Sequence, residues 1–138
     1  MRYPKFAFAV VFLTLTPVAP AQAGEFVDIT ESTTGTITRI DISTLRGLPA
    51  YDFRRPFPVR EIWVEHDYSK NKTETASSAK GLMRFDCVGS RAATISFTQY
   101  DSNGSVLRSR SDPTDSEYDY QPVVPGSIGS AINDVVCS

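Results

Sequence analysis

Lys80-Gly81-Leu82-Met83-Arg84-Phe85-Asp86-Cys87-Val88-Gly89-Ser90-Arg91-Ala92-Ala93-Thr94-Ile95-Ser96-Phe97-Thr98-Gln99-Tyr100 is the stretch that decides the fold. Two alternating runs flank a turn. Lys80 to Val88 places Met83, Phe85 and Cys87 on one face and Arg84 and Asp86 on the other. Arg91 to Tyr100 places Ala93, Ile95 and Phe97 on one face and Thr94, Ser96 and Thr98 on the other. A period of two over this length is the mark of half-buried strands, and Val88-Gly89-Ser90 joins them as a hairpin.

Working outward, Asn103-Gly104 is the strongest short hairpin signal, because a type I′ turn needs φ > 0 at both central residues. It leads to a further strand, Ser105 to Ser111. Upstream, Val59 to His66 is a strand whose two registers both hold apolar residues around Trp63, so its middle is expected to be covered on both faces. Thr36 to Ile42 alternates with β-branched neighbours and is another strand. Gly24 to Glu31 is a first strand or a loose arm. Leu45 to Pro58 holds Gly47, Pro49, Pro56 and Pro58 and is expected to form no long regular element, since each proline removes a donor and restrains its predecessor. Asp67 to Ala79 is polar and is expected to be a mobile loop. Asp112 to Tyr120 is an acidic loop carrying aromatic residues.

The tail changes period. Ile128, Ala131, Ile132, Val135 and Val136 fall at i, i+3, i+4, i+7 and i+8, an amphipathic helix stripe. Pro125 stops the preceding chain and Ser127 is its N-cap. So short a helix is unstable alone and must dock.

The first 23 residues have the pattern of an export signal. Arg2 and Lys5 precede an apolar run from Phe6 to Leu15, and Ala21-Gln22-Ala23 fits a small-residue cleavage site, so the mature chain is expected to begin at Gly24. The run is too short to span a membrane, which takes about 20 residues, and no second long apolar segment follows. Removing 23 residues from 138 leaves 115, enough for one domain, 24–138. Removing Arg2 and Lys5 from 14 basic residues leaves 12 against 16 acidic ones, a net charge of −4. A mildly acidic domain is a poor match for nucleic acid or anionic lipid.

An exported chain meets oxidising conditions, and Cys87 and Cys137 allow one intramolecular pairing, closing a loop of about 50 residues. Two free thiols or an intermolecular bridge stay open on the spacing alone. The pair lacks Cys-x-x-Cys spacing and a flanking lysine or histidine, which points to a structural role rather than a redox one.

His66 is the only histidine. Alone it cannot build a zinc site, and no Gly-x-Ser-x-Gly elbow surrounds any serine, so no catalytic residue, metal or cofactor is expected. Asp112, Asp115, Glu117 and Asp119 are weighed as a calcium site against a solvated loop, and the loop is preferred. Asn71-Lys72-Thr73 and Asn103-Gly104-Ser105 match the glycosylation tripeptide. The aromatic residues Trp63, Tyr68, Tyr118 and Tyr120 are the candidate interaction surface, with Tyr51, Phe53 and Phe57 in the proline-rich connector, since exposed aromatics anchor protein interfaces.

The order of several short motifs resembles a known family. Trp63-Val64-Glu65-His66-Asp67-Tyr68-Ser69, Phe85-Asp86-Cys87, Arg91, Tyr100-Asp101 followed by Gly104, Pro125-Gly126-Ser127 and Val136-Cys137 come in the order of surface-adhesin protein E-like domains, over about residues 59 to 138. The resemblance implies an α+β fold: a small twisted antiparallel sheet with a C-terminal α-helix packed on it, tied by a Cys87–Cys137 disulfide. It also implies adhesion, a non-enzymatic activity exercised on another protein by a chain exported to the periplasm or cell surface, as a monomer or weak homodimer. The alternative is a periplasmic binder of a small molecule or peptide, with a groove between helix and sheet near Trp63. A hydrolase using His66 is third.

Overall fold

The computed structural model describes residues 24–111 and 115–138. The export signal with its cleavage after Ala23, and Asp112 of the acidic loop, lie outside the described residues.

Among the described residues seven strands and one helix follow in chain order. They are β1 (Phe26–Glu31), β2 (Ile37–Leu48), β3 (Val59–Asp67), β4 (Ser78–Asp86), β5 (Arg91–Tyr100), β6 (Val106–Ser111), β7 (Gln121–Pro122) and α1 (Ile128–Val136), with a single 3-10 turn at Glu117–Asp119 before β7. The sheet is an antiparallel meander in the order β1-β2-β3-β4-β5-β6, and β7 pairs with the start of β5. Among the described residues no helix is long and apolar enough to cross a membrane.

One face of the sheet carries the main core. Ile40, Ile62, Val64 and Phe85 meet Ile132 and Val136 of α1, with Ile29, Leu45, Met83, Ala92 and Ile128 around them. Ser127 caps the helix, its hydroxyl accepting from the Ser130 amide at 3.1 Å. The far end is fastened twice. Cys137 is disulfide-bonded to Cys87, and Arg60 Nη1 donates to the carbonyl of Val136 at 2.7 Å. Cys87 is the first residue of the β4–β5 turn, just beyond the strand. That turn is shaped by Asp86, whose Oδ1 accepts from the amides of Val88 and Gly89 and whose Oδ2 accepts from Arg91. A Cβ at position 89 would lie 2.3 Å from Asp86 Oδ2, so any side chain there would push the Asp86 carboxylate out of the position that shapes the turn.

Several expectations need correction. β2 continues through Arg46 and Gly47 to Leu48 before Pro49 stops it. It does so across a bulge between Asp41 and Arg46, where the Thr44 hydroxyl replaces the missing backbone partner and accepts from the Trp63 amide at 3.1 Å. The segment after Asp67 is tied down rather than loose. Asn71 is 7% exposed, its Nδ2 donates to Thr34 and Thr36, and its Oδ1 accepts from Thr73. That buried amide leaves no room for a glycan in the folded chain. The Asn103-Gly104 hairpin forms, but only Gly104 has positive φ. The turn is built instead on Asp101, whose carboxylate accepts from the amides of Asn103 and Ser105.

The faces of β5 also differ from simple alternation. A register shift in the β4–β5 pairing matches Leu82 with Ser96 but Met83 with Thr94, leaving Ile95 as the extra residue. Ala93 and Ile95 therefore join a second cluster with Val59 and Tyr120. Phe97 faces α1 beside Ile128 and Ile132.

Candidate interaction site

The second cluster lies on the sheet face opposite α1. It is made by the 49–58 connector and the 115–122 segment folding back over one end of that face. Phe57 stands edge-on to Tyr120 with ring centroids 5.2 Å apart, and both pack with Val59 and Ala93.

A chain of charges crosses this end of the sheet. Strand pairing sets Arg46, Glu61 and Arg84 side by side. Glu61 Oε1 accepts from Arg46 Nε at 2.7 Å and from its Nη2, and Oε2 accepts from Arg84 Nε at 2.6 Å. Arg84 Nη1 then reaches Asp115 Oδ2 at 2.7 Å. Arg55, only 3% exposed, donates to the same oxygen at 2.8 Å and to the carbonyls of Phe57 and Pro49. Burial pushes the Asp115 carboxyl up, but the hydrogen bonds from Arg55, Tyr120 and Arg84 outweigh it and hold it below the usual carboxylate range. For the Tyr120 hydroxyl, burial and then the bond it donates to Asp115 at 2.8 Å raise it above the usual phenol range.

These contacts give the acidic loop a structural explanation. Asp115 is engaged by two guanidiniums and a phenol. Asp119 Oδ2 accepts from the Ser116 amide in a capping box. Among the described residues no group of three or more His, Cys, Asp or Glu is placed to hold a metal ion.

The four candidate aromatics do not form one patch. Tyr120 is 4% exposed, so it is a core residue and not part of an outer surface. Its neighbour two positions back, Tyr118, is 82% exposed at the 3-10 turn. Trp63 is 40% exposed on the sheet face away from α1, between Asp41 of β2 and Leu82 of β4. The face is thus covered at Val59 and Glu61 and open at Trp63, whereas cover on both sides was expected. Tyr68 is half-buried and stacks on His66, with centroids 6.1 Å apart.

His66 lies on the α1 side, its Nδ1 3.0 Å from Thr38 Oγ1. Burial lowers its pKa, and Glu65 opposes that only in part. It borders a cavity of about 150 Å³ with Met83, Phe97, Ile128 and Ile132. Trp63 is on the other face, so a helix–sheet groove does not include it.

Two surface features escaped the sequence reading. The first is an apolar cleft of about 370 Å³ beside the disulfide, lined by Leu48, Pro49, Pro58, Phe85 and Val88. The second is β6. All six of its residues are exposed, and it borders a cleft of about 490 Å³ with Thr94, Ser96, Tyr118 and Gln121. Its Val-Leu-Arg-Ser-Arg-Ser pattern, with no apolar alternation after Leu107, is the signal that could have marked it as uncovered.

A small antiparallel sheet with one tethered C-terminal helix and an open outer face is the class of architecture defined by this geometry. The surface-adhesin protein E family model matches residues 26–138, and the chain belongs to that family. No curated protein and no solved structure matches it.

Proposed function

We propose that the protein is an exported, non-enzymatic adhesin that works by protein–protein contact, in the periplasm or at the cell surface, after removal of its first 23 residues. The observation that carries this is the uncovered end of a braced sheet. Trp63 on the outer face, Tyr118 at the turn and the whole of β6 stand in solvent, around a central β2–β3–β4 region held by the disulfide, α1 and the Arg46–Asp115 ion chain. Large rigid aromatics on a fixed scaffold are what hot spots of protein interfaces are made of. Family membership supports the same reading.

The test is binding of the purified exported chain to immobilised extracellular proteins and to whole cells, with Trp63→Ala and Tyr118→Ala beside it. Saturable binding that weakens in a variant supports the reading. No binding above that of an unrelated exported domain overturns it. A second reading, a binder of a small apolar ligand, draws on the cleft beside the disulfide, whose size falls within the roughly 300–1,000 Å³ usual for ligand sites. Thermal stabilisation by an apolar fragment, lost in a variant of the exposed lining residue, Val88→Asp, would favour it.

A further inference from the structure

We infer that the cleft beside the Cys87–Cys137 disulfide takes the acyl chain of a fatty acid and holds its carboxylate on Arg60. This rests on the apolar-ligand reading above and names the ligand. Leu48, Pro49, Pro58, Val59, Phe85 and Val88 line the cleft. Phe85 is fully buried and Val88 almost wholly exposed, so the apolar lining runs from the core to the surface. An acyl chain laid along it would bury its own methylenes and cover Val88, and each buried methylene is favourable.

The space is left by a glycine. Gly47 pairs with Arg60 across β2 and β3, and a Cβ added to it would meet nothing within 4 Å. Its φ lies outside the left-handed region, so the backbone does not require glycine there. Glycine within a strand gives up packing and chain entropy, and such a position often marks the close approach of a ligand.

Charge chooses the head group. Of the residues lining the cleft, Arg60 alone is charged. Its Nη1 donates to the Val136 carbonyl at 2.7 Å and to Ser138 O at 3.3 Å. Nε and Nη2 form the guanidinium edge that grips a carboxylate with two parallel bonds, and among the described residues neither donates to an Asp or Glu. An alcohol head would forgo the charge, and an ammonium head would be repelled.

The experiment uses the purified exported chain with decanoate, decanol and decyltrimethylammonium, each below its micelle concentration, and follows amide shifts by NMR. The expected result is saturable binding of decanoate, with shifts at residues 47–49, 58–60 and 85–88. Decanoate should bind at least about threefold more tightly than decanol, and decyltrimethylammonium more weakly than either. Each methylene removed from the acid should weaken binding by up to about fourfold. Gly47→Val should fill the cleft and abolish the decanoate shifts without lowering the melting temperature. Arg60→Gln also loses the bond to Val136, so its readout is the decanoate-to-decanol ratio, which should fall to about one while decanol still binds. Equal binding of decanoate and decanol, or an unchanged ratio in Arg60→Gln, overturns the inference and leaves the apolar-ligand reading standing. No saturable binding of any of the three, shifts away from the cleft, or undiminished decanoate binding in Gly47→Val removes both.

Discussion

Asp115→Asn tests how the outer end of the sheet is held. The carboxylate accepts three hydrogen bonds: from Arg55 and Arg84 on Oδ2 at 2.8 and 2.7 Å, and from the Tyr120 hydroxyl on Oδ1 at 2.8 Å. Asparagine fills the same space but removes the charge and turns an amide group toward the guanidiniums. Arg84 keeps Glu61. Arg55 keeps the carbonyls of Phe57 and Pro49 but loses the carboxylate it pairs with among the described residues, while almost fully buried. Removing one partner of a buried pair costs about 3–5 kcal/mol, and the retained Arg84–Glu61 bond places this case near the lower end, at about 3 kcal/mol. For a domain of this size that is a fall in melting temperature of about 10–20 °C. Circular dichroism melts measure it, and amide exchange should show the loss concentrated at residues 115–122. A fall of less than about 3 °C would show that water, not Asp115, solvates Arg55, and would refute the ion chain as a fastening. A replacement of both partners by apolar residues, Arg55→Met with Asp115→Leu, should be milder than Asp115→Asn, because it leaves no buried unpaired charge.

Three other outcomes are expected. Cys137→Ser should cost about 4 kcal/mol in the chain-entropy model for the 50-residue loop, with amide protection lost first in α1; native-state hydrogen exchange reads this directly. Acid should destabilise the fold in two stages. His66 has a folded pKa below its ordinary value of about 6.5, so its contribution is complete above that pH and is lost as pH falls through the folded value. Asp115 is likewise depressed, so its contribution is lost only further into acid; melting temperature against pH should lose the upper step in His66→Gln and keep the lower one. Trp63→Ala should change the melting temperature little for a residue of its size, because Trp63 is partly solvated on an open face, while weakening adhesion.

The legible parts of this fold were those written locally. The 80–100 hairpin, the period of α1 and its Ser127 cap each need only neighbouring residues to be recognised. The parts that could not be read depend on events elsewhere in the chain. One extra residue at Ile95 moves Phe97 to the α1 face, and alternation carries no mark of it. The continuation of β2 to Leu48 depends on a threonine hydroxyl reaching Trp63 across the bulge. Tyr118 and Tyr120 look equivalent in sequence, two residues apart in one acidic loop. Only the arrival of Asp115 against Arg55, sixty residues away, buries one and leaves the other in solvent. The open edge at β6 shows in the sequence as a lack of apolar alternation, a weak signal until strand order makes it the last strand.

Site-specific photo-crosslinking in cells that export the protein tests the central claim most directly. A photoreactive residue replaces exposed Leu107 in β6, with a control at Ile42, which is exposed in β2. The account predicts a protein adduct from position 107, where β6 stands in solvent, and none from position 42. No adduct at 107, or an adduct from position 42 alone, would contradict it.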